Sequence, residues 1–289
     1  MRKRNLSQID LIKQAWSESF KLLNYQPQII MPFVVLAIVE LLGILLIFVA
    51  LQPPFVVYIK PIVLRYWTEN FLHYPLNLLL LAKLCFYLQI VLSLVLGTFI
   101  TGMTLSCVWQ YNLKEEFSFK SAFKTALFKY VNLLIITVLV YFLLYKFYHL
   151  DAFVLAKILA RGSSFLKIGK EYWSMLFIIF GIIGTGFLNA LFAFAQPAVI
   201  MDNKNFVTAI FFNLKHLVKN FFPACFLIIF PVCLYIPIAL FKERFFSLMK
   251  STAPEIIFVV LIADVIALLM INVMTTLFIS KYYISIRDE

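Results

Sequence analysis

Residues 196–222 read QPAVIMDNKNFVTAIFFNLKHLVKNFF. The stretch leaves an apolar run, breaks at Asp202-Asn203-Lys204-Asn205, continues with regularly spaced lysines and enters another apolar run at Phe221. On a helical wheel Phe206, Val207, Ile210, Leu214, Leu217, Val218 and Phe221 share one arc, while Lys204, Thr208, Lys215 and Lys219 share another, with Phe212 the misfit. That distribution predicts a helix lying in a membrane interface, its apolar face towards the acyl chains and its lysines towards water.

The flanks of this segment are membrane-grade, and so is most of the chain. Hydrophobic residues make up 63% of the sequence and charged residues 13%, with a mean hydropathy of +0.96. Soluble domains have about 45–50% apolar and about 25% charged residues, so the class is a polytopic membrane protein. A helix needs roughly 20 apolar residues to cross the hydrocarbon, because only a helix satisfies its own backbone groups where there is no water. Six runs qualify: 29–51, 82–108, 131–149, 173–196, 222–241 and 256–280. The fifth contains Pro223, Pro231 and Pro237, and its interior prolines predict a bend.

Two further segments have the same amphipathic pattern. In 117–130, Phe119, Ala122, Phe123, Ala126, Leu127 and Tyr130 oppose Lys120, Ser121, Lys124, Thr125 and Lys129. In 9–25, Ile9, Leu11, Ile12, Ala15, Trp16, Phe20, Leu22 and Leu23 oppose Asp10, Lys13, Gln14, Ser17, Glu18, Lys21 and Asn24. Each amphipathic segment precedes an odd-numbered span. The expected architecture is therefore one all-α membrane domain over 1–289, with six transmembrane helices and three cytoplasmic interfacial amphipathic helices. It parses as a threefold repeat of helix-span-span units over about 7–110, 117–200 and 204–280. Small residues crowd the even spans (Ser93, Gly97, Gly102 and Ser106; Gly181, Gly184, Gly186 and Ala190; Ala263, Ala267 and Thr275) and predict that these three pack centrally.

Six spans place both termini on one side. The cluster Arg2, Lys3 and Arg4 directly before the first amphipathic helix favours the cytoplasm, and the basic start is read as retained, since no short apolar core with a cleavage site follows. The formal net charge of +11 is spread along amphipathic helices beside a bilayer, which points to anionic lipid headgroups rather than nucleic acid. Lys13, Lys21, Lys120, Lys124, Lys204, Lys215 and Lys219 are the candidate headgroup contacts.

Candidate chemistry is sparse. Glu40 and Asp264 lie inside spans, where an ionisable group is either a proton relay or ligand counter-ion, or a carboxyl hydrogen-bonded to a neighbouring helix. Asn272, two turns beyond Asp264, and Asn189, Gln89 and Gln196 are the neutral polar groups at depth. His73, His149 and His216 are far apart with no metal-ligand spacing, and Cys85, Cys107, Cys225 and Cys233 sit in apolar runs with no CxxC, so no metal or cofactor is expected. GIIGTG at 181–186 lies inside a span and reads as helix packing rather than a phosphate loop. Among the outer loops, 52–77 mixes prolines and aromatics as a segment against the interface does, and 151–162 reads as a short helix from an Asp151 N-cap to Gly162.

The Pro-Ala after a span, the acidic-polar turn and the amphipathic helix ending Lys219-Asn220-Phe221, together with FKLLNYQPQIIMPF at 20–33, resemble the six-span membrane domain of bacterial glycerophosphoryl diester phosphodiesterases and related integral membrane proteins. The resemblance implies a bacterial cytoplasmic membrane. It does not carry phosphodiesterase activity, because the catalytic barrel of those enzymes has no counterpart among these residues. The leading expectation is a non-catalytic integral membrane protein that associates with lipid or a protein partner in envelope or lipid metabolism. The alternatives are a small transporter or permease subunit using Glu40 and Asp264, and, third, a membrane-embedded enzyme.

Overall fold

The computed structural model describes residues 7–74, 76–114, 117–160, 170–248 and 255–287, and among them there are helices and turns but no strand. The Arg2–Arg4 cluster and Gly162 lie outside the described residues. Six helical segments are long and apolar enough to cross a bilayer: Pro27–Ala50, Leu76–Asn112, Phe119–Val154, Met175–Met201, Phe206–Cys233 and Ile256–Arg287. The protein is an all-α, multi-pass membrane protein.

The chain opens with α1 (Gln8–Tyr25), whose N-cap Ser7 accepts a hydrogen bond from the Asp10 amide. A short 3-10 turn leads into α2 (Met31–Ala50), and α3 (Val56–Tyr66) lies in the following loop. Span two comprises α4 (Leu76–Leu92), a π-helical turn over Ser93–Gly97 and α5 (Thr98–Asn112). The π turn frees backbone carbonyls; the Tyr130 hydroxyl donates to the Val95 carbonyl at 3.1 Å.

Span three belongs to α6 (Phe119–Ala160), 42 residues without a break. This corrects two expectations. The amphipathic segment 117–130 is not a separate interfacial helix but the first turns of the span itself. Asp151 is not an N-cap, because the helix passes through it to Ala160. The third amphipathic segment is likewise fused to its span in α9 (Phe206–Cys233), with a kink at Asn220, where φ is −119° and ψ 24°. Pro223, three residues on, then sits in the first turn after the kink, where its missing amide costs little.

Span four is interrupted. It comprises α7 (Lys170–Ala190) and α8 (Ala195–Met201), with four residues of turn between. The gap is closed from outside: Asn213 of α9, fully buried, accepts from the Phe194 amide at 2.9 Å and donates to the Leu191 carbonyl at 2.7 Å. The fifth span ends at Cys233, and a two-residue turn starts α10 (Ile236–Leu248), with Pro231 and Pro237 on either side of the break. The last span is α11 (Ile256–Arg287).

The packing explains where the amphipathic stripes go. The end of each even span meets the amphipathic segment that follows it, α5 against α6 and α8 against α9, and α11 closes on α1. The ends of the even spans also touch one another, α5 with α8 and both with α11. The main core lies at this end of the molecule and includes Leu105, Val108, Val199, Phe194, Leu277, Phe278, Tyr282 and Tyr283. Counted from the caps Ser7, Ser118 and Asn205, the fourth and eighth positions (Leu11 and Ala15, Ala122 and Ala126, Ala209 and Asn213) are all 5% exposed or less. For α1, Leu11, Ile12, Ala15 and Leu22 of the apolar face are buried, with Trp16 stacked on Phe278 at 5.5 Å, while Ile9 and Phe20 of the same face stay exposed. The α9 segment differs, since Val207, Phe211, Leu214 and Val218 form an exposed apolar stripe beside the lysines.

Glycines set the closest approaches. A Cβ on Gly102 would lie 2.6 Å from Leu133, one on Gly186 2.9 Å from Ile229, and one on Gly184 would run into the Phe147 ring. GIIGTG is a packing element within α7, as its position inside a span predicts.

Candidate functional site

At the other end of the molecule, a second core of α2, α3, α4 and the first turns of α11 leaves a groove beside it. Asp264, the ninth residue of α11 and 1% exposed, is its polar centre. The Tyr235 hydroxyl donates to Oδ1 at 2.5 Å, Gln89 Nε2 to Oδ2 at 3.3 Å, and Lys242 Nζ pairs with Oδ2 at 3.0 Å while also donating to the Tyr235 hydroxyl at 3.3 Å.

The break in span five makes this constellation. Pro231 lacks an amide and Pro237 requires a helix start, so α9 stops and α10 begins within three residues. Tyr235 lies in the turn and Lys242 seven residues later, close to two helical turns, so both side chains reach one carboxylate.

The groove has a volume of about 370 Å³. Trp67, Ala82, Phe86, Tyr87, Ile257, Val260 and Leu261 form apolar walls, and Lys83, Gln89, Lys242 and Asp264 supply the polar groups. Phe86 and Tyr87 are more than half exposed at its edge, 57% and 58%. Lys83 is exposed and makes no ion pair among the described residues; its Nζ lies 5.7 Å from the centre of the Phe71 ring.

The intramembrane candidates thus separate. Gln89 and Asp264 meet. Glu40, 4% exposed and without a hydrogen bond among the described residues, faces α11 one helix face away, where it lines a void of only about 10 Å³ with Phe33, Leu36, Val265, Leu268 and Asn272. A void of that size is at the lower limit for one water. Glu40 and Asp264 share no cavity. Asn189 donates to the Thr185 carbonyl of its own helix at 2.8 Å, and Gln196 to Thr137 at 3.2 Å, both remote from the groove.

Of the lysines, Lys13, Lys21, Lys120, Lys124, Lys215 and Lys219 are exposed. Lys204 is partly buried, 3.2 Å from Asp202 and 2.9 Å from the centre of the Phe212 ring. Asp202 also accepts from the Tyr283 hydroxyl at 2.6 Å and pairs with Arg287 at 3.0 Å, and the Arg287 guanidinium lies 4.7 Å from the Trp109 ring. This cluster ties together the ends of α5, α8 and α11. Among the described residues no three His, Cys, Asp or Glu side chains converge as metal ligands.

Lys242 and Tyr235 are the site residues that sequence reasoning missed. The signal for them was the proline pair, which was legible as a bend but not as one that sets a tyrosine and a lysine beside a buried carboxylate.

No protein family, curated protein or solved structure matches the chain.

Proposed function

We propose that this is a non-catalytic integral membrane protein that holds membrane lipid, with one lipid seated in the groove at Asp264. The observation that carries this reading is the composition of the groove: aromatic and aliphatic walls suited to acyl chain, and a cluster of charged groups at one place on them. Its depth fits a headgroup. Lys83 lies seven residues, about 10 Å of helix, inside the start of span two at Leu76. Asp264 stands eight residues, about 12 Å of helix, inside the start of α11 at Ile256. The groove then opens in the leaflet away from the amphipathic segments. Transport by way of Glu40 and Asp264 needs a polar path between them, and their separate cavities favour lipid binding over it.

The same reading places the exposed lysines of α1, α6 and α9 at the anionic cytoplasmic surface of a bacterial inner membrane, with both termini on that side. Support comes from the lipid-facing stripe of α9 beside Lys215 and Lys219. It also takes the three helix-span-span units as a repeat, supported by the common cap register and the cyclic pairing of each even span with the next unit.

The experiment is native mass spectrometry of the protein released from nanodiscs. Filling the groove with Ala82→Trp and Leu261→Phe should remove one tightly held lipid and leave the rest. Equal retention in the filled and open proteins would overturn the proposal.

A further inference from the structure

Resting on that reading, we infer that the groove selects an anionic phospholipid, whose phosphate is held between Lys83 and Lys242. The sign of the ligand follows from which charges are already used. Asp264 accepts from Tyr235, Gln89 and Lys242, so its two oxygens are occupied and its charge is matched by the ammonium. A cationic or choline headgroup finds no free carboxylate there.

The positive side is not used up. An ammonium has three donors, and Lys242 gives one to Asp264 and one to Tyr235, leaving a third for a ligand in the groove it lines. Lys83 adds a full charge without an ion-pair partner among the described residues, on the groove wall. The lining residues sum to two lysines against one aspartate, a net charge of one positive unit. Asp264 and Tyr235 also fix Lys242 before any ligand arrives, so little side-chain freedom is lost on binding. The occupant drawn from these facts is a phosphate monoanion on an acyl tail: tail along Phe86, Tyr87 and Val260, phosphate at the two ammonium groups.

The test places a photoreactive benzoylphenylalanine at Phe86, on the groove, and in a separate protein at Phe142, an exposed position on α6 outside it. Both are reconstituted in nanodiscs of equimolar phosphatidylglycerol and phosphatidylcholine, irradiated, and the lipid adducts weighed. Phosphatidylglycerol should exceed phosphatidylcholine at position 86 and match it at position 142. Lys83→Gln should lower the ratio at position 86 by about fivefold, the effect of one lysine beside an anionic surface. Adducts at position 86 in equal amounts, or a ratio that Lys83→Gln leaves unchanged, overturn the charge selection while leaving a lipid in the groove. Loss of the adduct when soluble glycerol 3-phosphate is added overturns it too, since the site would then take free phosphate esters. Absence of any lipid adduct at position 86 when position 142 labels normally overturns the groove reading itself.

Discussion

Asp264 holds three partners from three elements, and the value of each depends on the others. A buried ion pair is a weak source of net stability, but removing one member strands the other charge at a cost of about 3–5 kcal/mol. Asp264→Ala, which leaves Lys242 half-buried and unmatched, is therefore expected to lower the unfolding midpoint in detergent sharply. Asp264→Leu combined with Lys242→Met should recover most of the loss, and a double variant no more stable than the single one would show that the carboxylate is needed for itself. The two carboxyls also differ in how readable they were. Both stood out in the sequence as charges inside spans, yet nothing local distinguished Asp264, with a lysine, a tyrosine and a glutamine around it, from Glu40, which faces apolar side chains and Asn272.

Helix breaks do most of the positioning. The interruption of span four leaves the Phe194 amide and the Leu191 carbonyl without helical partners, and Asn213 satisfies both from α9. Asn213→Ala should orphan two buried backbone groups, at about 1–3 kcal/mol each. Asn189→Ala, by contrast, removes only a bond to the carbonyl of a preceding turn and should be close to neutral. Thermal unfolding of the two variants in one detergent tests the difference, and equal effects would mean that the break does not need its cap. The break after span five was foreshadowed by Pro231 and Pro237. The break in span four carries no such mark in LNALFAFAQP, since Pro197 falls after it, in the first turn of α8.

Across the whole molecule, the proposed topology makes a direct expectation. Single cysteines at Ser17, Lys124 and Lys215, all exposed, should react with a membrane-impermeant maleimide only from the cytoplasmic side, and one at Glu69 only from the opposite side. The background should be cysteine-free, although Cys85 and Cys107 are buried. Labelling of position 124 together with position 69 would contradict the orientation and the repeat at once. The ring in which α5 meets α6, α8 meets α9 and α11 meets α1 depends on the last span returning to the first helix. The main core accordingly gathers at that end, while the opposite end, where the spans are joined by loops, has room for the groove.

The number of the spans was settled by local chemistry, because about 20 residues of apolar side chain decide membrane insertion without reference to the rest of the chain; the extent of the fifth was not, since its helix runs Phe206–Cys233 rather than over 222–241. The amphipathic segments were legible for the same reason, as a periodicity over a few turns. Their destination was not. Lipid and protein interior are equally apolar, so a helical wheel cannot tell which will cover Leu11, Ile12 and Ala15; only the docking of α11 decided that they are core. The groove belongs wholly to tertiary structure. It forms where Tyr235, in the break at residues 234–235, and Lys242 of α10 meet Asp264 of α11, and a charge at that depth persists only where another element supplies its counter-charge and hydrogen bonds.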